Sequence, residues 1–241
     1  MSRKYWFTSD QHYSHKNVIK FCKRPFMQFL DERSRKIVDE CWAREVTSIA
    51  AMALELKLPE PVVESMKHTA IDLMKEKMNE TMIDRYNAVV DPNDVVYFLG
   101  DVAFEKDRAK LENILRRLNG EKHIIWGNHD NILKSIKWRD YFKTASDLRT
   151  ITVPAESNNG RAQDIVLCHY AMRVWDKSHY GTWHLHGHSH GSLPDDPKAL
   201  SCDVGVDPWD FTPVSMEQLT AHMKKKTWKA LDHHGKNRTA D

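Results

Sequence analysis

The sequence predicts an α/β fold, on three observations. Short runs of β-branched and aromatic residues recur along the chain, each closing on Gly, Asp, Asn or His. Segments with apolar residues at three- and four-residue spacing lie between those runs. Composition permits a core, since 41% of the 241 residues are hydrophobic and 29% charged. Strands alternating with helices build a sheet covered by helices, not an all-α or all-β domain.

The elements follow in order. Tyr5–Thr8 is the first strand and Val18 to Cys22 a short helix. Residues 30 to 90 differ in texture. Ile37, Val38, Cys41, Trp42, Val46, Ile49, Ala53 and Leu56 mark one long amphipathic helix, and Pro59 and Pro61 interrupt it. Val62, Met66, Ala70, Leu73, Met78, Met82, Ile83 and Tyr86 mark a second. Two antiparallel helices joined at the prolines are expected, their methionine and aromatic stripes serving packing. Val95–Leu99 is a buried strand. Lys106 to Leu118 then carries Leu111, Ile114, Leu115 and Leu118 on one face, with Gly120 as terminator. Further strands are expected at His123–Trp126, Arg149–Val153, Ile165–Cys168, Trp183–His186 and Ser201–Val204. Ser215 opens a last helix to Met223, and Gln218 three residues on completes a capping box.

Charge and cysteines bound the setting. A net charge of +2 is too balanced to argue for nucleic acid binding. The basic cluster from Lys224-Lys225-Lys226 to Arg238 reads as a solvated tail. No signal peptide is visible, no apolar run approaches the ~20 residues that span a bilayer, and the cysteines form no CxxC pair. A cytoplasmic protein with reduced thiols is expected, without a membrane partner. Fourteen histidines are unusual, and imidazole is the commonest protein metal ligand.

The chemistry sits at the strand ends. The first run ends in Asp10-Gln11-His12, the second in Gly100-Asp101, and the third in Gly127-Asn128-His129-Asp130. The fourth ends in His169 and the fifth in Gly187-His188-Ser189-His190. Ligands bind at this edge of open α/β sheets. Residues two apart in extended chain face the same way, so Asp10 and His12 can share a metal, and His188 and His190 can face one site. Two aspartates, one asparagine and four histidines are more donors than one catalytic metal needs. They suit two divalent cations with a bridging carboxylate, and nitrogen and oxygen donors without thiolate suit Mn, Fe, Co, Ni or Zn; the sequence does not choose among these, and Mn is taken as the working expectation.

In the order D-x-H, G-D, G-N-H-D, H, G-H-x-H, these motifs resemble the calcineurin-like metallophosphoesterase superfamily, from Asp10 to His190. The resemblance implies a single domain over residues 1–241: a four-layer α-β-β-α sandwich of two mixed sheets. It implies one metal on Asp10, His12 and His190, a second on Asn128, His169 and His188, and Asp101 bridging both. His129 becomes the non-ligand histidine that protonates the leaving oxygen or steadies the transition state. The implied reaction is in-line attack on a phosphate ester by a hydroxide shared between the metals. Phe21–Phe26, Asn79-Glu80-Thr81 and Val204–Asp210 resemble small bacterial and phage members of the superfamily, where the first two segments lie close together. The stretch from about residue 28 to 77 therefore reads as an inserted helical hairpin: a cap, a dimer contact or an arm for a partner protein. Gly100-Asp101 is followed by Val102-Ala103-Phe104-Glu105, without the second aspartate and Arg-Gly of the Ser/Thr protein phosphatases. That departure favours a phosphodiester or nucleotide substrate and leaves the partner of His129 unidentified.

Arg24 and Arg173 are candidate phosphate clamps, because guanidinium matches phosphate bidentately, and His15 a candidate substrate contact. Asp130 is a candidate to orient an adjacent imidazole. His184 and His186 read as packing or support for the ligands, and Tyr170 and Trp175 as core. A nuclease ranks below a small-molecule enzyme, since no basic stripe tracks a nucleic acid backbone. A binding protein working through the helical insertion is the rival of another class.

Overall fold

The computed structural model describes residues 3–44 and 48–231. By internal packing the chain forms two compact units: one takes residues up to His12 and from Met82 on, the other is Tyr13–Thr81.

The first unit holds two mixed sheets. The five-stranded sheet contains β1 (Tyr5–Thr8), β2 (Val95–Phe98), β3 (Glu121–Ile125), β4 (Thr144–Ser146) and β9 (Val214–Ser215), in the order β4-β3-β2-β1-β9. β1 to β4 run parallel and β9 antiparallel to β1. The four-stranded sheet runs β5 (Leu148–Val153), β6 (Gln163–Cys168), β7 (Trp183–His186) and β8 (Ser201–Asp203), with β5 antiparallel to β6 and the rest parallel. Alternation along the strands decides which residues meet. Phe7, Val95 and Tyr97 of the first sheet, with Leu99 just past β2, share one buried cluster with Val153, Ile165, Leu167 and Leu185 of the second. Each such side chain contributes roughly 1.5–3 kcal/mol on burial.

Helices flank this core. In α5 (Arg108–Arg117) the Asp107 side chain accepts from the Ala109 N–H at 2.9 Å, and Leu111, Ile114 and Leu115 are buried. In α7 (Met216–Met223) the expected capping box forms, with Gln218 N–H to Ser215 Oγ at 3.1 Å and Ser215 N–H to Gln218 Oε1 at 2.9 Å. β4, β9 and a one-turn helix α6 (Asn131–Ser135) were not expected; they are too short for periodicity to register.

The helical region corrects the two-helix reading. It has α1 (Lys16–Phe21), α2 (Glu32–Arg44), α3 (Ser48–Leu56) and the 30-residue α4 (Glu60–Val89). Ile37 of α2 shares a core with Met52 and Ala53 of α3 and Val63 of α4, and Lys36 pairs with Glu55. In one continuous helix, residues 15 apart would stand roughly 22 Å from each other, so the described residues of the first stripe belong to two helices packed side by side; Val46 lies outside the described residues. The prolines do divide α3 from α4, and Pro61 occupies the first turn, where its missing N–H costs nothing.

In the basic tail Lys224 and Lys225 are exposed, as expected, but Lys226 is not. The Lys226 side chain is 3% exposed, and its Nζ donates to Asp195 Oδ1, Ser201 O and Asp196 O at 2.5, 2.7 and 3.2 Å. Arg238 lies outside the described residues. Among the described residues no helix is long and apolar enough to cross a membrane.

Candidate metal centre

Parallel pairing of β1, β2 and β3 brings their C-terminal ends to one edge, and that of β6 and β7 does the same for theirs. The loops leaving those ends are short and sharply bent. Asp10, His12, Asp101, His188 and His190 all have φ between +50° and +67°. The left-handed region is unfavourable for such residues and persists where surrounding structure enforces it. Two glycines allow the loops to close on each other. A Cβ on Gly127 would overlap the Asp101 carboxylate, and one on Gly187 would overlap Ser9 and Asp10.

Two donor sets result. Asp10, His12 and His190 each offer a ligand atom within 4.8 Å of the others, as do Asp101, His169 and His188. Asn128 Oδ1 joins the second set at 3.1 Å from both His169 Nε2 and His188 Nδ1. Asp101 Oδ2 stands 3.5 Å from His169 Nε2 and 3.7 Å from His12 Nε2, so one oxygen borders both sets. In the first set His12 Nε2 and His190 Nε2 lie 4.0 and 3.9 Å from Asp10 Oδ1. With metal–ligand bonds of ~2.0–2.2 Å, donor atoms of one shell lie about 3–4 Å apart, and the observed spacings fit. The imidazoles are also held for the task. His190 Nδ1 bonds Asp207 Oδ2 and His169 Nδ1 bonds Leu99 O, both at 2.7 Å, which leaves Nε2 of each ring toward the donor sets.

Burial and charge shape these groups. Asp10 is fully buried, which pushes its pKa up to about 7 against the pull of His190 and His169. Burial works to raise Asp101 too, but bonds from His169 and the His129 N–H hold its carboxyl below the usual range. Burial would lower His169, yet Asp101 and Asp10 raise it. His188 is lowered, by burial first and by His169 next.

Asp130 does not orient an imidazole. Its Oδ2 accepts the N–H of Gly127 at 2.7 Å and of Asp101 at 2.9 Å, and its Oδ1 accepts that of Val102 at 2.9 Å. It staples the loop after β2 to the loop after β3. Burial pushes its pKa up, and the three backbone donors oppose that. The His129 N–H donates to Asp101 Oδ1 at 2.8 Å, and the His129 ring lies 4.7 Å from Phe104 and 5.8 Å from His12 between centroids.

The other candidates have surroundings of their own. Arg173 is exposed, makes no hydrogen bond or ion pair among the described residues, and lines a separate cavity of about 310 Å3 with His186. Arg24 and His15 belong to the helical unit. Arg24 is 2% exposed, with Nη1 3.5 Å from Met78 Sδ, so it is not a surface arginine. His15 stands at the N-cap of α1 without a side-chain capping bond. His184 is buried between Val166 O and Tyr170 O, at 3.1 and 3.2 Å. Trp175 is buried, but Tyr170 is 47% exposed, with its ring 4.8 Å from that of His188. Asp207 was missed because its partner His190 is 17 residues away across β8; its only sequence signal was the Val204–Asp210 segment that contains it.

No family model matches the chain. It is similar to an uncharacterized protein of Methanocaldococcus jannaschii, 27% identical over 229 residues, covering 92% of this chain and 93% of that one. A gene 66 protein of Mycobacterium phage D29 is 29% identical over 161 residues, covering 55% of this chain and 77% of its own. A crystal structure of a protein of unknown function from Aquifex aeolicus matches with a TM-score of 0.51 at 16% identity, over 93% of this chain and 99% of that chain. That likeness is one of fold, a mixed α/β arrangement.

Proposed function

We propose that the chain is a two-metal phosphoesterase of the calcineurin-like metallophosphoesterase superfamily, acting on a phosphodiester or nucleotide-type substrate. The observation that carries this reading is the placement of Asp101 Oδ2 beside both donor sets. The two face-to-face mixed sheets agree with the sandwich that the sequence motifs imply.

Asp10, His12 and His190 would hold one cation and Asn128, His169 and His188 the other, with Asp101 shared. Such a pair supplies charge neutralisation at phosphate oxygens and lowers the pKa of bound water, Mn being favoured over Fe, Zn, Ni or Co. The chain's own residues do the rest. Asp207 and Leu99 O fix the tautomers of His190 and His169. Asp130 ties the loop of Asp101 to the loop of Asn128 through hydrogen bonds from both to one carboxylate. The His129 N–H engages Asp101 Oδ1, which leaves Oδ2 for the cations. The His129 ring, outside both donor sets, is assigned the proton for the departing oxygen.

The test is hydrolysis of bis(p-nitrophenyl) phosphate by protein stripped with a chelator and then reloaded. Activity should vanish on stripping and return with Mn. Equal hydrolysis by exhaustively stripped protein would rule the mechanism out. A screen of monoesters, linear and cyclic nucleotides and nucleic acids with Mn-loaded protein then defines the substrate.

A further inference from the structure

The four-stranded sheet has a second cavity, of about 520 Å3, at its other edge. β6, β7 and β8 run parallel, and the cavity is lined by residues at their N-terminal ends, Gln163, Trp183 and Leu200. His169 and His188 follow the C-terminal ends of β6 and β7. At ~3.3 Å per residue, the six residues of β6 separate the two edges by roughly 20 Å.

Three kinds of group meet in this cavity. Tyr180 and Trp228 present aromatic surface, 73% and 39% exposed. The backbone on either side of Trp228 is held, by Thr227 N–H to Pro197 O at 2.8 Å and Lys229 N–H to Lys198 O at 3.1 Å. Arg161 and Lys224 are exposed cations that form no ion pair among the described residues. Trp183 is 7% exposed, and its indole N–H meets no protein acceptor among the described residues. Gln163 spends its amide N–H groups on Asp164 O and Gly181 O at 2.9 and 3.1 Å, leaving its carbonyl oxygen without a protein donor among the described residues.

A ligand that displaces water from the Trp183 donor and the Gln163 acceptor has to replace those hydrogen bonds, and a half-exposed ring on a held backbone offers a stacking surface. An apolar ligand would leave the Trp183 donor and the Gln163 acceptor unused. Inorganic phosphate would leave the aromatic rings unused. A planar base with a donor–acceptor edge and an attached phosphate uses all three kinds of group, and the volume suits a ligand of that size.

We propose that this cavity is a second binding site, for a nucleoside monophosphate. The base stacks on Trp228 and Tyr180, its polar edge meets Trp183 and Gln163, and the phosphate meets Arg161 and Lys224. The site stands apart from the metal centre and from the reaction assigned to it.

Calorimetric titration of the intact chain with adenosine monophosphate in excess chelator tests this, because no cation is then present to hold phosphate at the other edge. One saturable site is expected, with adenosine and inorganic phosphate each at least ~10-fold weaker, since each lacks one set of contacts. Trp228→Ala and Arg161→Gln replace exposed side chains and should each weaken binding ~10-fold without changing the circular dichroism spectrum. Trp183→Phe, which keeps the ring and removes the donor, should weaken it several-fold. No saturable binding up to ~1 mM would overturn the proposal. So would binding that none of the three substitutions changes. Neither result would touch metal-dependent hydrolysis, which is measured on the metal-loaded chain.

Discussion

The strand-end loops and the helical unit are held by different forces. The loops are polar, bent into left-handed backbone at five ligand positions, and tied by Asp130 to three backbone N–H groups. The helical unit is held by an aliphatic core of Ile37, Met52, Ala53 and Val63. The loops store strain, of order 1 kcal/mol or more per left-handed residue, in exchange for convergence of charge. The helices convert burial into stability. Substitutions should therefore separate: in the loops they change chemistry, and in the helices they change folding.

The sharpest break would come from Asp101→Asn, which removes the shared charge while keeping the shape. Turnover should fall about a thousandfold or more, equivalent to ~4 kcal/mol of barrier, with little loss of thermal stability. Rate assays and calorimetry on the same preparation check both halves, and unimpaired turnover would place the bridge elsewhere. His129→Ala should lower turnover by roughly 100- to 10,000-fold yet retain both cations. Elemental analysis decides, because loss of metal would make His129 a ligand.

Ile37→Ala tests the other side of the contrast. It should cost about 2–5 kcal/mol of stability in urea titration and leave the metal content of the folded protein unchanged. The smallest effect lies beneath the loops, at His184. Burial pushes its pKa down to about 4. Above pH ~6.5 the ring is neutral both folded and unfolded, so this contribution to stability is fully present. As pH falls from ~6.5 to ~4 the unfolded chain takes up a proton that the folded chain refuses, and stability drops by up to roughly 3 kcal/mol. Urea midpoints across that window should fall for the wild type, and the His184→Gln variant should fall less. An identical slope in both would remove His184 from the account.

The same contrast explains what could be read from sequence. β1 and β7 match the expected limits, and the Ser215 capping box forms, because each is encoded by adjacent residues. The strand-end Asp and His residues stood out for a related reason: polar donors directly after apolar runs have few other uses. Local pattern could not show that one helical stripe serves both α2 and α3, since Ile37 meets Met52 only after the chain folds back. Nor could it show that Asp130 binds three backbone N–H groups, that Asp207 holds His190, or that Lys226 is buried against Asp195. Those partners are chosen by the fold, at separations that no periodicity reports.

Anomalous diffraction from a crystal soaked in Mn tests the central claim most directly. Two peaks are expected, one among Asp10, His12 and His190 and one among Asn128, His169 and His188, with the Asp101 carboxylate between them. A single peak, none at saturating Mn, or peaks away from Asp101 would contradict it.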